Sequence, residues 1–464
     1  MALQIHDSRW GRRTRAALAL VVFGIVSLAH AGQAWSQRST LIRDAEIETI
    51  IRKLAAPLLQ ASGLPADGVR IHLVNDNSLN AFVAGGLQMF IYTGLLQRAE
   101  TPNQLSGVLA HEIGHIEGGH LARTRDELRG ASTTTILATI LGVAAAVASG
   151  DARLGTAIAA TGQNVALRNF LRYSRTQESA ADQAAVRLLE STGQSAKGLD
   201  EFLTVLGDQE VLPESQQDPY MRSHPFSRDR TDAIMRHLQK SPYTDKPDSQ
   251  AALAQHVRMR AKLAGFLDPT SRVLRAYPES DRSLPALYAR AVAYHRQGKT
   301  AAANSALDAL LALSPDDPYF HELKGQFLFE RGDGPNAIKA YRKAVDHSAG
   351  EPLIVFAYAR AVTNNAGLSE VKALIPLLEK ALSRESDNGS GWRLLGTAYG
   401  KTGNMGEASL ALAESEWLFG NAKLSALQAH RAQTQFKRGS PNWLRAEDLR
   451  LASERIMRAR AERR

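Results

Sequence analysis

The chain contains no cysteine in its 464 residues. That absence removes disulfides, thiolate zinc sites, iron–sulfur clusters and cysteine nucleophiles from consideration. Any metal site must be built from His, Asp or Glu. It does not fix the compartment, because a chain without disulfides can fold anywhere. The central body also lacks net charge. Arg9, Arg12, Arg13 and Arg15 against Asp7 give residues 1–15 a charge of +3, and ten Arg or Lys against four acids give residues 431–464 a charge of +6. The two ends account for the whole net charge of +9. A neutral body between a basic leader and a basic tail excludes a broad nucleic-acid-binding face. Long apolar runs are missing too. Ala16–Ala29 and Thr135–Ala148 are each about 14 residues long, short of the roughly 20 that a membrane-spanning helix needs. With 44% hydrophobic and 22% charged residues the chain is too apolar for disorder. Its length implies two or three domains.

What is present begins with an export signature. Four arginines precede the run AALALVVFGIVSLA, and small-residue sites follow at Ala29-His30-Ala31 and Ala34-Trp35-Ser36. A positive start, a short apolar core and an A-x-A end are what a cleaved secretory signal requires. Residues 40–62 have helical spacing, with Ile47, Ile50, Ile51, Leu54 and Leu58 on one face. Residues 69–74 and 87–93 alternate as strands. Helical periodicity covers 102–129 and 165–206, and prolines 213, 219 and 225 mark a loop.

From about residue 283 the texture becomes repetitive. Gly298, Gly332, Gly367 and Gly403 recur every 34 to 36 residues. Ala303, Ala337 and Ala408 follow three of them by five positions, with Lys372 at the degenerate one. Ala291, Gly325, Arg360 and Gly396 precede the four by seven. A period near 34 with small residues at fixed offsets is the helix–turn–helix signature of tetratricopeptide repeats, which present a groove to peptides or proteins.

The chemistry centres on His111-Glu112-Ile113-Gly114-His115. On a helix, positions i and i+4 lie about 40° apart, so both imidazoles reach toward one metal ion, with Glu112 at the edge to hold a water. His120 comes nine residues after His111. On a continuing helix it would point away, which makes it a structural or supporting residue rather than the third ligand. Glu178 and Asp182, in Glu178-Ser179-Ala180-Ala181-Asp182, share a face bordered by small alanines on a second helical stretch. Glu178 is the expected third ligand, and Asp182 the acceptor for the spare N–H of a ligating imidazole.

His111–His115 together with Glu178–Asp182 resembles the gluzincin metallopeptidases of the CAAX prenyl protease 1 and heat-shock membrane protease type. In layout the chain is similar to a periplasmic member with an export signal, a peptidase domain and tetratricopeptide repeats in that order. The resemblance implies one Zn2+ per chain. It also implies that Asn80, Ala81, Phe82, Met89 and Ile91 belong to an edge strand that binds substrate. His224, in Ser223-His224-Pro225, would stabilise the oxyanion or cap the metal at rest, and Arg230 would order the acidic residues. Residues 131–162 take the place of a lid or membrane-surface element. The periplasmic member ties its domains with disulfides, whereas here domain orientation must depend on packing.

The expected fold is α+β and mostly helical, a zincin-like peptidase domain with a small sheet followed by an all-α repeat solenoid. The expected boundaries are a signal peptide over 1–36, the peptidase over 37–240, a linker over 241–282, repeats over 283–435 and a basic helical tail over 436–464. The expected function is that of an exported, periplasmic zinc endopeptidase. Its substrates would be misfolded or stalled envelope proteins, and its repeats would contact the outer-membrane β-barrel assembly machinery. The basic tail is read as a contact for anionic lipid at the membrane surface or for acidic partners, or else as a solvated helix end, and nucleic acid is not expected. The alternatives are a non-catalytic chaperone or scaffold with a capped metal site, and a cytoplasmic zinc hydrolase with a false leader.

Overall fold

A computed structural model of the chain describes residues 40–65, 68–84, 87–120, 175–207, 220, 224 and 226–462. The expected leader, the expected lid at 131–162, Gly85, Gly86, Ser223, Pro225, Arg463 and Arg464 lie outside the described residues.

The first domain opens with strand β1 (Thr40–Ile42) and helix α1 (Ala45–Ala61). Asp44 caps α1 by accepting from the Ile47 N–H at 2.9 Å. Ile47, Ile50, Ile51 and Leu58 turn inward, as their spacing predicts. Strands β2 (Arg70–Asn75), β3 (Ala81–Ala84) and β4 (Gln88–Tyr92) complete a four-stranded sheet in the order β1-β2-β4-β3. β4 runs parallel to β2 and antiparallel to β3, so β3 is an edge strand. Helices α2 (Thr93–Arg98) and α3 (Pro102–Glu117) follow. Then come α4 (residues 175–191), α5 (Lys197–Gly207) and α6 (Arg228–Leu238).

The pleat divides the side chains of the residues expected in the substrate-binding strand between the two faces of the sheet. Ala81 faces Ile91 and Val83 faces Met89 across the β3–β4 pair. All four point into the core, with Met89 and Ile91 at most 1% exposed. Side chains alternate faces along a strand, so of the five residues expected to meet substrate only Phe82 is presented outward. Its ring stacks on Phe90 at 4.9 Å.

The stretch expected to be a linker is largely helical. Helices α7 (Gln250–Leu267) and α8 (Thr270–Ala276) occupy it. Met259 and Leu263 of α7 belong to the peptidase core. The repeats then run as antiparallel helices: α9 (Leu284–Arg296), α10 (Thr300–Leu313), α11 (Pro318–Glu330), α12 (Gly334–His347), α13 (Pro352–Asn365), α14 (Leu368–Arg384), α15 (Gly389–Lys401), α16 (Met405–Leu418) and α17 (Ala422–Gln435). Gly298, Gly332 and Gly403 take positive φ in the turns, whereas Gly367, of the degenerate repeat, is an extended N-cap. The tail is helix α18 (Pro441–Glu462). It buries Ala446 and Leu449 against the last repeat and pairs Arg445 with Glu414 at 2.5 Å.

The two domains meet across a charged seam. Lys262 of α7 reaches Asp44 at 2.7 Å and Glu46 at 3.2 Å. Tyr288 of α9 donates to Glu46 at 2.7 Å. Arg43 pairs with Glu385 at 2.9 Å, and Arg70 with Asp387. Beside this seam lies a cavity of about 520 Å³ lined by Ile42, Lys262, Tyr288, Glu322 and Phe356. Among the described residues, no helix is long and apolar enough to cross a membrane.

Candidate metal centre

Helix α3 begins at the Thr101 cap, with Pro102 in its first turn, and is buried along most of its length. Two glycines decide what packs on it. A Cβ at Gly114 would lie 2.8 Å from the Ala181 carbonyl oxygen and 3.0 Å from the Ala184 Cβ. A Cβ at Gly107 would lie 2.8 Å from the Leu199 backbone. Only glycine lets α4 and α5 approach so closely. The contact at Gly114 carries Glu178 and Asp182 to the histidines.

There His111, His115, Glu178 and His224 each present a donor atom, all within 4.8 Å of one another, and all four side chains are buried. His111 Nε2 and His115 Nε2 are 3.0 Å apart. Each stands 3.4 Å from an oxygen of Glu178. His224 Nδ1 is 3.2 Å from both Glu178 oxygens and 3.3 Å from His111 Nε2. Burying three imidazoles against one another is unfavourable unless the nitrogens share a partner. Four convergent donors of N and O type, with no sulfur, are the set a divalent cation such as zinc takes.

The outward nitrogens are tied. Asp182 Oδ1 stands 2.9 Å from His111 Nδ1. Arg230 in turn grips Asp182 at 2.6 and 2.8 Å and reaches Glu178 at 3.1 Å. His120 Nδ1 lies 2.9 Å from His115 Nδ1. This corrects the geometry expected of His120. α3 stops at Glu117, Gly119 turns the backbone at φ +60°, and His120 folds back to touch the site instead of pointing away. A Cβ at Gly118 would collide with the His120 ring.

The electrostatics follow from these contacts. Burial depresses the pKa of His111, but hydrogen bonds to Asp182 and Glu178 outweigh it and raise the value to about 9. Burial lowers that of His115, and the neighbouring His111 and His224 add to the effect. Burial would raise both acids. Glu178 is nevertheless held well below the usual carboxylate range by His224, His111 and His115, and Asp182 is brought to about 2 by Arg230 and His111.

Glu112 is fully buried beside the cluster, with Oε1 3.5 Å from His224 Nε2. One neighbour had no sequence signal. Tyr220 is 1% exposed, and its hydroxyl donates to Glu112 Oε1 at 3.5 Å. It lies in a proline-bearing stretch without periodicity, so no spacing pattern singles it out. The cluster therefore brings together Glu112, His224, His111, His115, Glu178, Asp182 and Arg230, and leaves Met89 and Ile91 in the core.

A helix-borne pair of histidines, a glutamate from a neighbouring helix and a buried acid beside them define a metallopeptidase, and comparison with known proteins agrees. Residues 41–238 match the model of peptidase family M48, and residues 288–352 match a tetratricopeptide repeat. The chain thus carries an M48 peptidase domain followed by tetratricopeptide repeats, and it is a metalloprotease. It is similar to the beta-barrel assembly-enhancing protease of Escherichia coli (strain K12), 25% identical over 406 residues that cover 86% of this chain and 81% of the relative. The protein of the same name from Yersinia pestis is 25% identical over 86% of this chain and 82% of its own length. Metalloprotease LoiP of Escherichia coli is 26% identical over 208 residues, 45% of this chain and 72% of LoiP.

Proposed function

We propose that this chain is an exported zinc-dependent endopeptidase that cleaves misfolded or stalled envelope proteins during outer-membrane β-barrel assembly. The observation that carries the catalytic part is the convergence of four buried donors within 4.8 Å beside a buried glutamate. His111, His115 and Glu178 hold the metal. Zinc, when bound, supplies a Lewis acid that polarises a carbonyl and brings the pKa of a water molecule from about 16 down to about 7. Glu112 takes the proton of the attacking water and returns it to the leaving amine. Asp182 keeps His111 in the tautomer that ligates through Nε2, and Arg230 fixes Asp182. His224, whose Nδ1 lies within the donor set, would be a further donor to the metal at rest.

An extended substrate pairs through its backbone with the free edge of β3, which has β4 as its only strand partner among the described residues. The part in β-barrel assembly draws support from the name and length coverage of the relatives, and the exported location from the leader read in the sequence. Contact with the assembly machinery is assigned to the repeats, whose fold class binds proteins. Arg455, Arg458 and Arg460 are exposed on α18 and supply the membrane-facing charge.

One peptide-cleavage assay tests this reading. Glu112→Gln should keep the metal and lose turnover by about 10²-fold or more; a rise on His224→Ala fits the resting cap, and a fall fits the oxyanion role. Cleavage undiminished by Glu112→Gln would refute the mechanism. Absence of cleavage in the zinc-loaded wild-type chain would favour the scaffold reading instead.

A further inference from the structure

Tyr220 connects two groups at the centre, yet neither metal ligation nor proton transfer requires it. Its ring stacks on His224 with centroids 4.2 Å apart and planes 25° off parallel. Its other side meets the edge of Phe202, centroid to centroid 5.4 Å, on α5. That helix is pressed against α3 at Gly107, so the tyrosine is backed by the same packing that places the histidines. Its hydroxyl donates to Glu112 Oε1. The other oxygen of that carboxylate, Oε2, is buried and has no hydrogen-bond partner among the described residues.

We infer that Tyr220 is a positioning residue that orients the Glu112 carboxylate, holding Oε1 so that Oε2 is the oxygen that receives the proton. The inference rests on the reading of Glu112 as the proton acceptor. A carboxylate has two equivalent oxygens, and its terminal torsion is soft. Here the Tyr220 hydroxyl donates to Oε1, which leaves Oε2 as the oxygen without a hydrogen-bond partner among the described residues. The stacked ring does the same for His224 by limiting its rotation. Because the hydroxyl touches the proton acceptor and not the substrate, its loss acts on kcat and leaves KM alone.

The test uses the full zinc-loaded chain and a fluorogenic peptide substrate, with Tyr220→Phe, Tyr220→Leu and Glu112→Gln compared. Turnover is expressed per bound zinc and measured below the melting temperature of each variant, so that loss of folded protein does not register as loss of kcat. Tyr220→Phe, which keeps the ring, should lower kcat about tenfold, the effect of one long hydrogen bond to a charged group. KM, zinc content and melting temperature should stay at the wild-type values. Tyr220→Leu, which also removes the ring stacked on His224, should lower kcat at least as much. A wild-type kcat per zinc in Tyr220→Phe overturns the inference, as does a loss that appears only in KM or zinc content. Glu112→Gln separates the two levels: if it is inactive while Tyr220→Phe is normal, only the positioning role falls. If Glu112→Gln still cleaves, the catalytic reading falls with it.

Discussion

Each of the two helix-borne imidazoles turns one nitrogen inward and ties the other to a neighbour. For His111 the tie is Asp182, and for His115 it is His120. A ligating imidazole needs its outward N–H accepted, both to fix the tautomer and to raise the basicity of the inward nitrogen. His120→Ala should therefore lower zinc affinity about 10- to 100-fold without removing a ligand, as measured by competition with a chelator. Wild-type affinity in that variant would show that His120 merely fills space. The pairing was hidden in the sequence for a specific reason. The His111–His115 spacing is local and is decoded by helix geometry alone. Placing His120 depends on whether the helix continues, and Gly118 and Gly119 end it. Tyr220 was less accessible still, because its partner is 108 residues away and its own segment has no period.

The helices matter through how closely they approach. Glu178 and Asp182 were legible as a ligand and a supporting acceptor only because His111–His115 created a demand for a third ligand. The sequence feature that delivers them is Gly114 against Ala181 and Ala184. Adding one methyl group there requires α3 and α4 to separate by a few tenths of an ångström or more, and metal bonds tolerate only about 0.2 Å. Gly114→Ala should thus weaken zinc binding while the far-ultraviolet circular dichroism of the folded chain is retained. A variant with unchanged zinc affinity would show that the packing is looser than the contacts imply. In the sheet, alternation was readable but its parity was not. Met89 and Ile91 face inward because they lie on the sheet face that packs on the core, together with Ala81 and Val83, and which face is covered is a tertiary fact that periodicity does not encode. β1 spans three residues and β3 four, too few for a periodic signal.

At the scale of the whole molecule, the repeats and the peptidase are joined by α7 and by charges that no disulfide reinforces. The repeat period was plain in the sequence because small residues recur at fixed offsets. The docking was not, because Arg43 and Glu385 are separated by 342 residues and nothing local marks their contact. Glu322, in the cavity between the domains, reports on this seam. Burial raises its pKa and outweighs the opposing pull of Lys262, with Asp44, Glu46 and Glu351 adding to the rise, so the value goes from 4.5 to about 8. The unfolded chain releases this proton near 4.5 and the folded chain only near 8. The folded form is therefore favoured most below about pH 4.5, loses that advantage as pH rises toward 8, and changes no further above it. Glu322→Gln should flatten the decline in melting temperature over that range, relative to wild type. An equal decline in both proteins would mean that this carboxyl ionises freely in the docked state.

In the proposed mechanism one cation is held by residues from two helices brought together at Gly114. Diffraction from crystals of the zinc-loaded chain, recorded on both sides of the zinc absorption edge, tests it directly. One anomalous peak per chain is expected, within about 2.2 Å of His111 Nε2, His115 Nε2 and a Glu178 oxygen. A peak elsewhere, or a zinc lacking Glu178 among its ligands, would contradict it.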